Sequence, residues 1–459
     1  MSNLLSILAE IVGENGVLTG KAISGRSAGV WAGGALQALA LVRPSTTVEV
    51  AAVLKACNAA GQSVVPVGGM TGLAGAHETG PDDIALSLER MTAIEPIDTQ
   101  SRTVTVEGGA ILQTVQERAA DAGLMFPLDL GARASCTIGG NIATNAGGVR
   151  VIRYGMMRDL VLGVEAVLAD GTVISSMSGL IKNNTGYDLR QMFVGSEGTL
   201  GVITRAILRL HEAPLGVETA LLAVPSWDAI MGLLRYFDRE LAGGLVAFEV
   251  LWRDYYDLNT GPYSDVGSPL TESAPFYVLM EVFVSDADKG RDELEALLMQ
   301  CIERGDVVDG VIAKSQGERL KIWQIRESFE PEKKRFGPTY GHDVSLRIED
   351  MEDYVEAVRR NLTDRWPAAE LFTLGHIGDG NIHFSVANVG PVDLPEAGKI
   401  IYGPLAALNG SVSAEHGIGL EKKDYLGITR SHEEIELMRR TKKMMDPNGI
   451  LNPGKIFDI

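Results

Sequence analysis

From residue 43 the chain alternates between helical and strand-like spacing of its hydrophobic positions. In RPSTTVEVAAVLKACNAAG (43–61), Val50, Val53, Leu54 and Cys57 recur on one helical face. Thr46 and Glu49 read as a capping box, and Gly61 as the stop. SVVPV (63–67) then predicts a strand running straight into GGMTGLAG (68–75). TVTVEGG predicts another strand, and ILQTVQERAADAG a helix ending at Gly123. Residues 127–156 keep neither period and read as a long irregular segment. VLGVEAVLADGTVI reads as a hairpin about Asp170-Gly171, and GSEGTLGVITRAILRL as a turn feeding a strand. Residues 43–213 therefore form one α+β domain. A helical segment within 1–42 precedes it, amphipathic and too acidic to be a signal peptide.

Beyond 213 the pattern changes. Residues 228–240, 287–304 and 350–361 carry helical periods, and strands are predicted near 245–251, 276–284, 307–313, 342–348, 371–377 and 382–387. This predicts a second domain over 214–420, an antiparallel sheet with helices on one face. The tail, 421–459, holds a helix capped by Ser431 and Glu434 and ended by Pro447 and Gly449.

Composition narrows the function classes. The chain has 459 residues, 45% of them hydrophobic and 22% charged, which is a globular balance with room for two or three domains. Its net charge of −19 argues against nucleic acid and anionic membrane as partners. Cys57, Cys136 and Cys301 are odd in number and widely spaced, which points away from a disulfide framework and an iron–sulfur cluster. No apolar run approaches the ~18 residues of a membrane span. A reduced, cytoplasmic setting is the expectation.

The 53 glycines change the picture because they are clustered. VGGMTGLAG, SCTIGGNIATNAGG and VGSEGTLGVIT each offer backbone N–H groups with little side-chain obstruction, as a pyrophosphate requires. None is a GxGxxG or a GKS/GKT loop. In TLGHIGDGNIHFSV (373–386), His376 and His383 flank an Asp379-Gly380 turn and can face each other across a hairpin. SAEHGIG (413–419) adds Glu415 and a third of the seven histidines, His416. Two imidazoles and one carboxylate leave coordination positions open, as a catalytic metal site does. Zn²⁺ suits such a set, and Mn²⁺ or Fe²⁺ are compatible by ligand type. Glu415 and His416 are neighbours, so they serve one site only if Gly417 and Gly419 let the chain twist. Which of the two is ligand and which is base stays open from the residues. The same triad also describes a non-haem iron oxygenase, a reading that leaves the glycine clusters without a role. A non-enzymatic binding or assembly subunit is a third reading.

Taken in order, PVGGMTGL, SCTIGGNIATNAGG, GSEGTLGVIT, GHIGDGNIH, AEHGIG and MDPNGILNPGK resemble the FAD-linked oxidoreductases of the vanillyl-alcohol oxidase/para-cresol methylhydroxylase superfamily. Within it the nearest likeness is to the D-lactate and D-2-hydroxyglutarate dehydrogenase branch, which includes the glycolate oxidase flavin subunit. The resemblance spans about 45–459. It implies an α+β architecture: an FAD-binding domain of the para-cresol methylhydroxylase type (43–213), an antiparallel-sheet substrate or cap domain bearing the metal site (214–420), and a C-terminal segment returning to the flavin (421–459).

It also implies roles. Pro66, Gly68, Gly69, Met70, Thr71, Gly72 and Leu73 resemble pyrophosphate contacts, as do Pro127, Gly131, Ser135, Thr137, Ile138, Gly139 and Asn141. Thr144, Asn145, Gly148 and Tyr154 match the stretch around the flavin. Glu197, Gly198, Gly201 and Ile203 match the adenosine end, and Asn452 the tail residue. Met70 stands where some relatives carry a flavin-linking histidine, which implies non-covalent FAD. His77, a few residues on, reads as a surface loop residue. Glu415 matches a metal ligand with His376 and His383, and His416 the general base. Arg326, in KIWQIRES, matches a substrate-carboxylate clamp, for which a planar guanidinium is suited.

Relatives acting on 2-hydroxyglutarate carry a basic residue just before Asp343-Val344-Ser345. Here Tyr340, Gly341 and His342 stand there, and His342 or Arg347 are the candidate substitutes. Trp252 and Tyr255 are candidate pocket walls. The expected activity is oxidation of a D-2-hydroxy acid such as D-lactate to the 2-oxo acid, with D-2-hydroxyglutarate second. Electrons leave to a separate acceptor, an electron-transfer flavoprotein, a quinone or a cytochrome, and a homodimer is expected.

Overall fold

The computed structural model describes residues 2–30, 33–286 and 289–459. Two compact units result: 1–148 with 155–213 and 415–459, and 149–154 with 214–414.

The first unit contains β1 (Val17–Leu18), β2 (Ala40–Val42), β3 (Val64–Val67), β4 (Ile84–Ser87), β5 (Thr103–Glu107), β6 (Leu124–Met125), β7 (Val161–Val167), β8 (Val173–Ser176), β9 (Val202–Arg209) and β10 (His211–Glu212). One sheet runs β1-β2-β4-β3, with β2, β4 and β3 parallel. A second, antiparallel, runs β5-β9-β7-β8, and β6 pairs with β10. The predicted helix lies at Thr47–Ala60, its Val50, Val53, Leu54 and Cys57 buried against Val42, Ile84 and Leu86. Full burial of each such side chain contributes roughly 1.5–3 kcal/mol. Thr46 caps the Glu49 N–H, but the Glu49 carboxylate reaches back to the N–H of Ser45 (2.7 Å) rather than of Thr46. Positions 1, 31 and 32 of the N-terminal segment lie outside the described residues.

The stretch 127–156 is not irregular throughout. It holds helices Ile138–Thr144 and Val151–Tyr154. Thr137 caps the first at Gly140, and Asn145 closes it with φ +50°. A seven-residue helix buried through Ile138 and Ile142, with small residues between, shows too few apolar positions for its period to be seen.

The second unit is one seven-stranded antiparallel sheet. Its strands are β11 (Gly216–Val224), β12 (Leu245–Trp252), β13 (Phe276–Val284), β14 (Asp309–Ile312), β15 (Tyr340–Ser345), β16 (Glu370–His376) and β17 (Asn381–Ala387), in the order β14-β11-β13-β12-β16-β17-β15. Helices cover both faces, not one. Phe336 of helix Glu330–Phe336 packs on Phe372, whereas Tyr354 of helix Met351–Arg365 packs on Phe384 of the opposite face. The cause is visible in β12, every residue of which is buried, so both of its faces need a cover. The helix expected over 287–304 is Gly290–Glu303; 287 and 288 lie outside the described residues. Among the described residues no helix is long and apolar enough to cross a membrane.

Candidate active site

Strand register decides which side chains meet. Glu249 of β12 stands opposite His376 of β16, and Leu374 opposite His383 of β17. Antiparallel partners share a face, so Glu249, His376 and His383 point to the same side. The two histidines are diagonal neighbours rather than a facing pair, their rings edge to face with centroids 5.1 Å apart. The turn between them is a 3₁₀ turn at Ile377–Asp379 closed by Gly380 at φ +85°.

Hydrogen bonding settles the state of His376. The Arg326 guanidinium, which only donates, lies with Nη2 3.0 Å from His376 Nε2. Nε2 is therefore the acceptor, and Nδ1–H donates to Glu249 Oε1 at 2.7 Å. Glu249 Oε2 accepts from Arg326 Nε at 2.8 Å. Burial alone would raise the Glu249 carboxyl, but the charges and hydrogen bonds of His376 and Arg326 outweigh it and hold it below the usual range. A carboxylate behind the far nitrogen of a ligating histidine fixes its tautomer and ring plane. Sequence reasoning missed Glu249; its signal was one acid inside the apolar run LVAFEVLW, where a buried charge demands partners.

The chain of the second unit ends where the Ala414 N–H donates to the buried Asp343 carboxylate (2.7 Å), and Glu415 is the next residue. One ligand atom each from His376, His383 and Glu415 lies within 4.8 Å of the others. Two imidazole nitrogens and a carboxylate oxygen at this spacing fit a divalent cation with positions to spare. Glu415 and His416 sit on irregular backbone, so strand alternation does not part them; Oε1 and Nε2 are 3.7 Å apart. Gly417 (φ +83°) and Gly419 (φ +51°) allow this course, and a Cβ at Gly419 would lie 1.8 Å from the Ala74 carbonyl.

Five residues offered as substrate contacts or pocket walls are placed elsewhere. His342 pairs with Phe384, and Tyr340 with Val386, so both point to the face opposite His383; His342 Nδ1 lies 2.9 Å from the Tyr402 hydroxyl. Gly341, between them, is the residue on the His383 face, since a one-residue shift along a strand reverses the face. Trp252 likewise faces away from Glu249, in an aromatic core with Trp227 (5.4 Å) and Phe276 (5.6 Å). Tyr255 is buried in the helix after β12, its hydroxyl donating to the Arg326 carbonyl at 2.7 Å. Arg347 is exposed and pairs with Glu349 and Asp350.

The glycine loops of the first unit are built differently. A Cβ at Gly69 would lie 2.0 Å from the Ser135 carbonyl oxygen, and one at Gly68 2.5 Å from Thr137 Oγ1. Gly139 is confined by Gly108 and Ile203, Gly148 by Asp129, Gly198 by Pro66 and Gly201 by the Phe193 ring. A Cβ at Gly72 would meet the His77 ring at 3.2 Å, whereas Gly131 has open space. Side chains here are also engaged: Asn141 with Cys136, Thr144 with the Gly140 carbonyl, and Asn145 with the Arg158 N–H. Met70, Thr71 and Leu73 are half-buried in the loop that leaves Pro66, while Pro127 and Ile138 are buried. Tyr154 belongs to the second unit, against Phe283.

The buried Glu197 (φ +51°) accepts the N–H groups of Ile418 (2.7 Å) and Gly419 (2.8 Å). Burial pushes its carboxyl up against the pull of those bonds. Asn452 donates to the carbonyls of Glu197 (2.7 Å) and Ala76 (2.9 Å). Asn452 Oδ1 and His77 Nε2 are enclosed with no hydrogen-bond partner among the described residues. His77 is thus not a plain surface residue, and burial lowers its imidazole. Two orphaned polar atoms beside loops held at positive φ (Met70 +55°, Asn145 +50°, Asn452 +43°) fit a polar cofactor lying along this backbone.

Comparisons with known proteins agree. Residues 38–176 match the FAD binding domain model, and 214–456 the model of the FAD linked oxidases' C-terminal domain. The chain is 40% identical to a D-2-hydroxyglutarate dehydrogenase of Xanthomonas citri pv. viticola, over 92% of this chain and 89% of that one. It is 36% identical to one of Stutzerimonas stutzeri, over 91% and 90%. A putative mitochondrial D-lactate dehydrogenase of Schizosaccharomyces pombe is 37% identical over 90% and 81%. In fold it matches p-cresol methylhydroxylase with a TM-score of 0.77 at 15% identity, covering 100% of this chain and 97% of that one.

Proposed function

This chain belongs to the FAD-linked oxidase family, and on that premise we propose that it dehydrogenates a D-2-hydroxy acid to the 2-oxo acid with the aid of a divalent cation. The observation that carries the cation is the convergence of His376, His383 and Glu415 within 4.8 Å, backed by the Glu249 and Arg326 bonds to His376. Relatives named D-2-hydroxyglutarate and D-lactate dehydrogenases supply the substrate class. A bound divalent cation supplies Lewis acidity toward the substrate hydroxyl, and bound FAD takes up the two electrons.

The chain's own residues do the rest. His376 would ligate through Nε2, the nitrogen its Glu249 bond leaves with a lone pair, together with His383 and Glu415. Arg326, held beside His376 by its Glu249 bond, would bind the substrate carboxylate. His416 accepts the hydroxyl proton. The first-unit loops would hold FAD without a covalent link, through backbone N–H groups rather than the side chains already engaged. Electrons then pass to a separate carrier. The preferred acid is monocarboxylic, D-lactate or similar, because no cation stands on the His383 face at 341 or 385. D-2-hydroxyglutarate, the named substrate of the first relatives, is the second reading.

Anaerobic mixing of the purified flavoprotein with D- and L-enantiomers of 2-hydroxy acids tests this. Bleaching of the flavin by D-acids only is expected, and a flavin that no D-2-hydroxy acid bleaches would remove the proposal.

A further inference from the structure

The face of the sheet that carries His383 continues, two residues on, to Ser385, whose partner on β15 is Gly341. A Cβ at Gly341 would meet nothing within 4 Å, so this end of the face is open space. Glu332, from the helix Glu330–Phe336 that covers the same face through Phe336 and Phe372, is an acidic wall there. Glu332 is 3% exposed, a rare setting for a carboxyl without a cation. Its Oε2 accepts from the Thr339 hydroxyl at 3.1 Å, and the Ser385 hydroxyl lies beside the carboxyl. Oε1 is enclosed with no hydrogen-bond partner among the described residues. Burial pushes this carboxyl above the usual range, against the two hydroxyls.

The neighbouring cations of the same helix are committed elsewhere. Lys333 pairs with Glu330, Lys334 with Asp265 and Arg335 with Glu370. Arg326 is tied to Glu249 and His376. Among the described cations of this helix, none is then left unpaired for a ligand carboxylate brought beside Glu332, whichever protonation state Glu332 adopts. That is a costly arrangement, whereas an uncharged donor would satisfy Oε1.

We propose that Glu332 sets the tail specificity of the substrate site: it accepts a hydrogen bond from an uncharged donor on the hydroxy acid's side chain and rejects a second carboxylate. The inference rests on the proposed function, since the tail is defined by an acid held at His383 and Arg326. It makes Glu332 a specificity residue and explains why a buried acid is kept where an apolar side chain would pack more cheaply.

The test compares three substrates on the intact, FAD-loaded protein by anaerobic flavin reduction: D-lactate, D-2-hydroxyglutarate, and the amide of the latter at its far carboxyl. In the native enzyme the amide should exceed the diacid in kcat/KM by at least about tenfold, a loss expected for an unpaired buried charge. In Glu332→Gln that ratio should fall below about threefold, the change lying chiefly in KM. A native enzyme that takes the diacid as well as the amide overturns the inference without the variant, so a poorly folded Glu332→Gln cannot shelter it. An unchanged ratio in a folded variant overturns it too. If D-lactate, diacid and amide all fail to reduce the flavin, the proposed function falls first and the inference with it.

Discussion

The two units use opposite means to build a site. In the first, function is written in backbone: Gly68, Gly69, Gly139 and Gly148 are small because another strand or loop presses on them. In the second, function is written in side chains on a regular sheet, where register alone places Glu249, His376 and His383 together. Backbone sites tolerate almost no added atom but use few side chains, whereas the sheet site tolerates a change of backbone neighbour but not of its polar set. The same residue type shows the contrast: glycine is packed in at 69 and has open space at 341.

The largest effect should come from the sheet. His383→Ala removes a proposed cation ligand, and several kcal/mol of charge stabilisation convert to a fall in kcat of about a thousandfold. Elemental analysis should show cation content dropping with FAD content preserved. Loss of FAD in that variant would erase the distinction between the units.

The reverse experiment is Gly69→Ala. Its Cβ would overlap the Ser135 carbonyl, so thermal unfolding and FAD retention should report a cost of about 3 kcal/mol, at the top of the range for overpacking. Gly341→Ala, with open space, should stay within about 0.5 kcal/mol. Equal costs at 69 and 341 would break the comparison.

Glu249→Gln sharpens it within the sheet. Gln keeps the shape but loses the charge behind His376, so cation affinity, read by competition with a chelating dye, should weaken about 10–100-fold. An affinity unchanged by Gln would mean that Glu249 serves packing alone.

The smallest effect concerns Glu332 and stability. Burial raises its folded pKa above the unfolded value, so the folded state holds the proton more tightly. That stabilisation is fully present below the unfolded carboxylate value and is lost as pH rises through the folded one. Glu332→Gln removes the dependence, so its Tm relative to the native chain should rise as pH is taken upward from 4. A constant difference across that range would refute the assignment.

What could be read in advance follows the same divide. Thr47–Ala60 was legible because four apolar residues repeat on one face between a cap and a left-handed glycine. The pair His376 and His383 was legible because a hairpin turn separates them. Helix Ile138–Thr144 was not, since its buried face is largely glycine and alanine, which carry no hydrophobic period. Tyr340, His342 and Trp252 were misplaced because the strand was recognised but not its parity, which only pairing with Phe384 or Phe276 fixes. Glu249 and Glu332 were missed because an isolated acid in sequence gives no hint of the arginine or hydroxyls that will surround it.

One measurement bears on all of this most directly: anaerobic reduction of the flavin by D-lactate before and after the divalent cation is stripped by a chelator, with cation content determined in parallel. Reduction should collapse in the stripped protein, which keeps its FAD, and return on adding one equivalent of Zn²⁺ or Mn²⁺. Undiminished flavin reduction in a protein shown to be free of cation would contradict the role given to His376, His383 and Glu415.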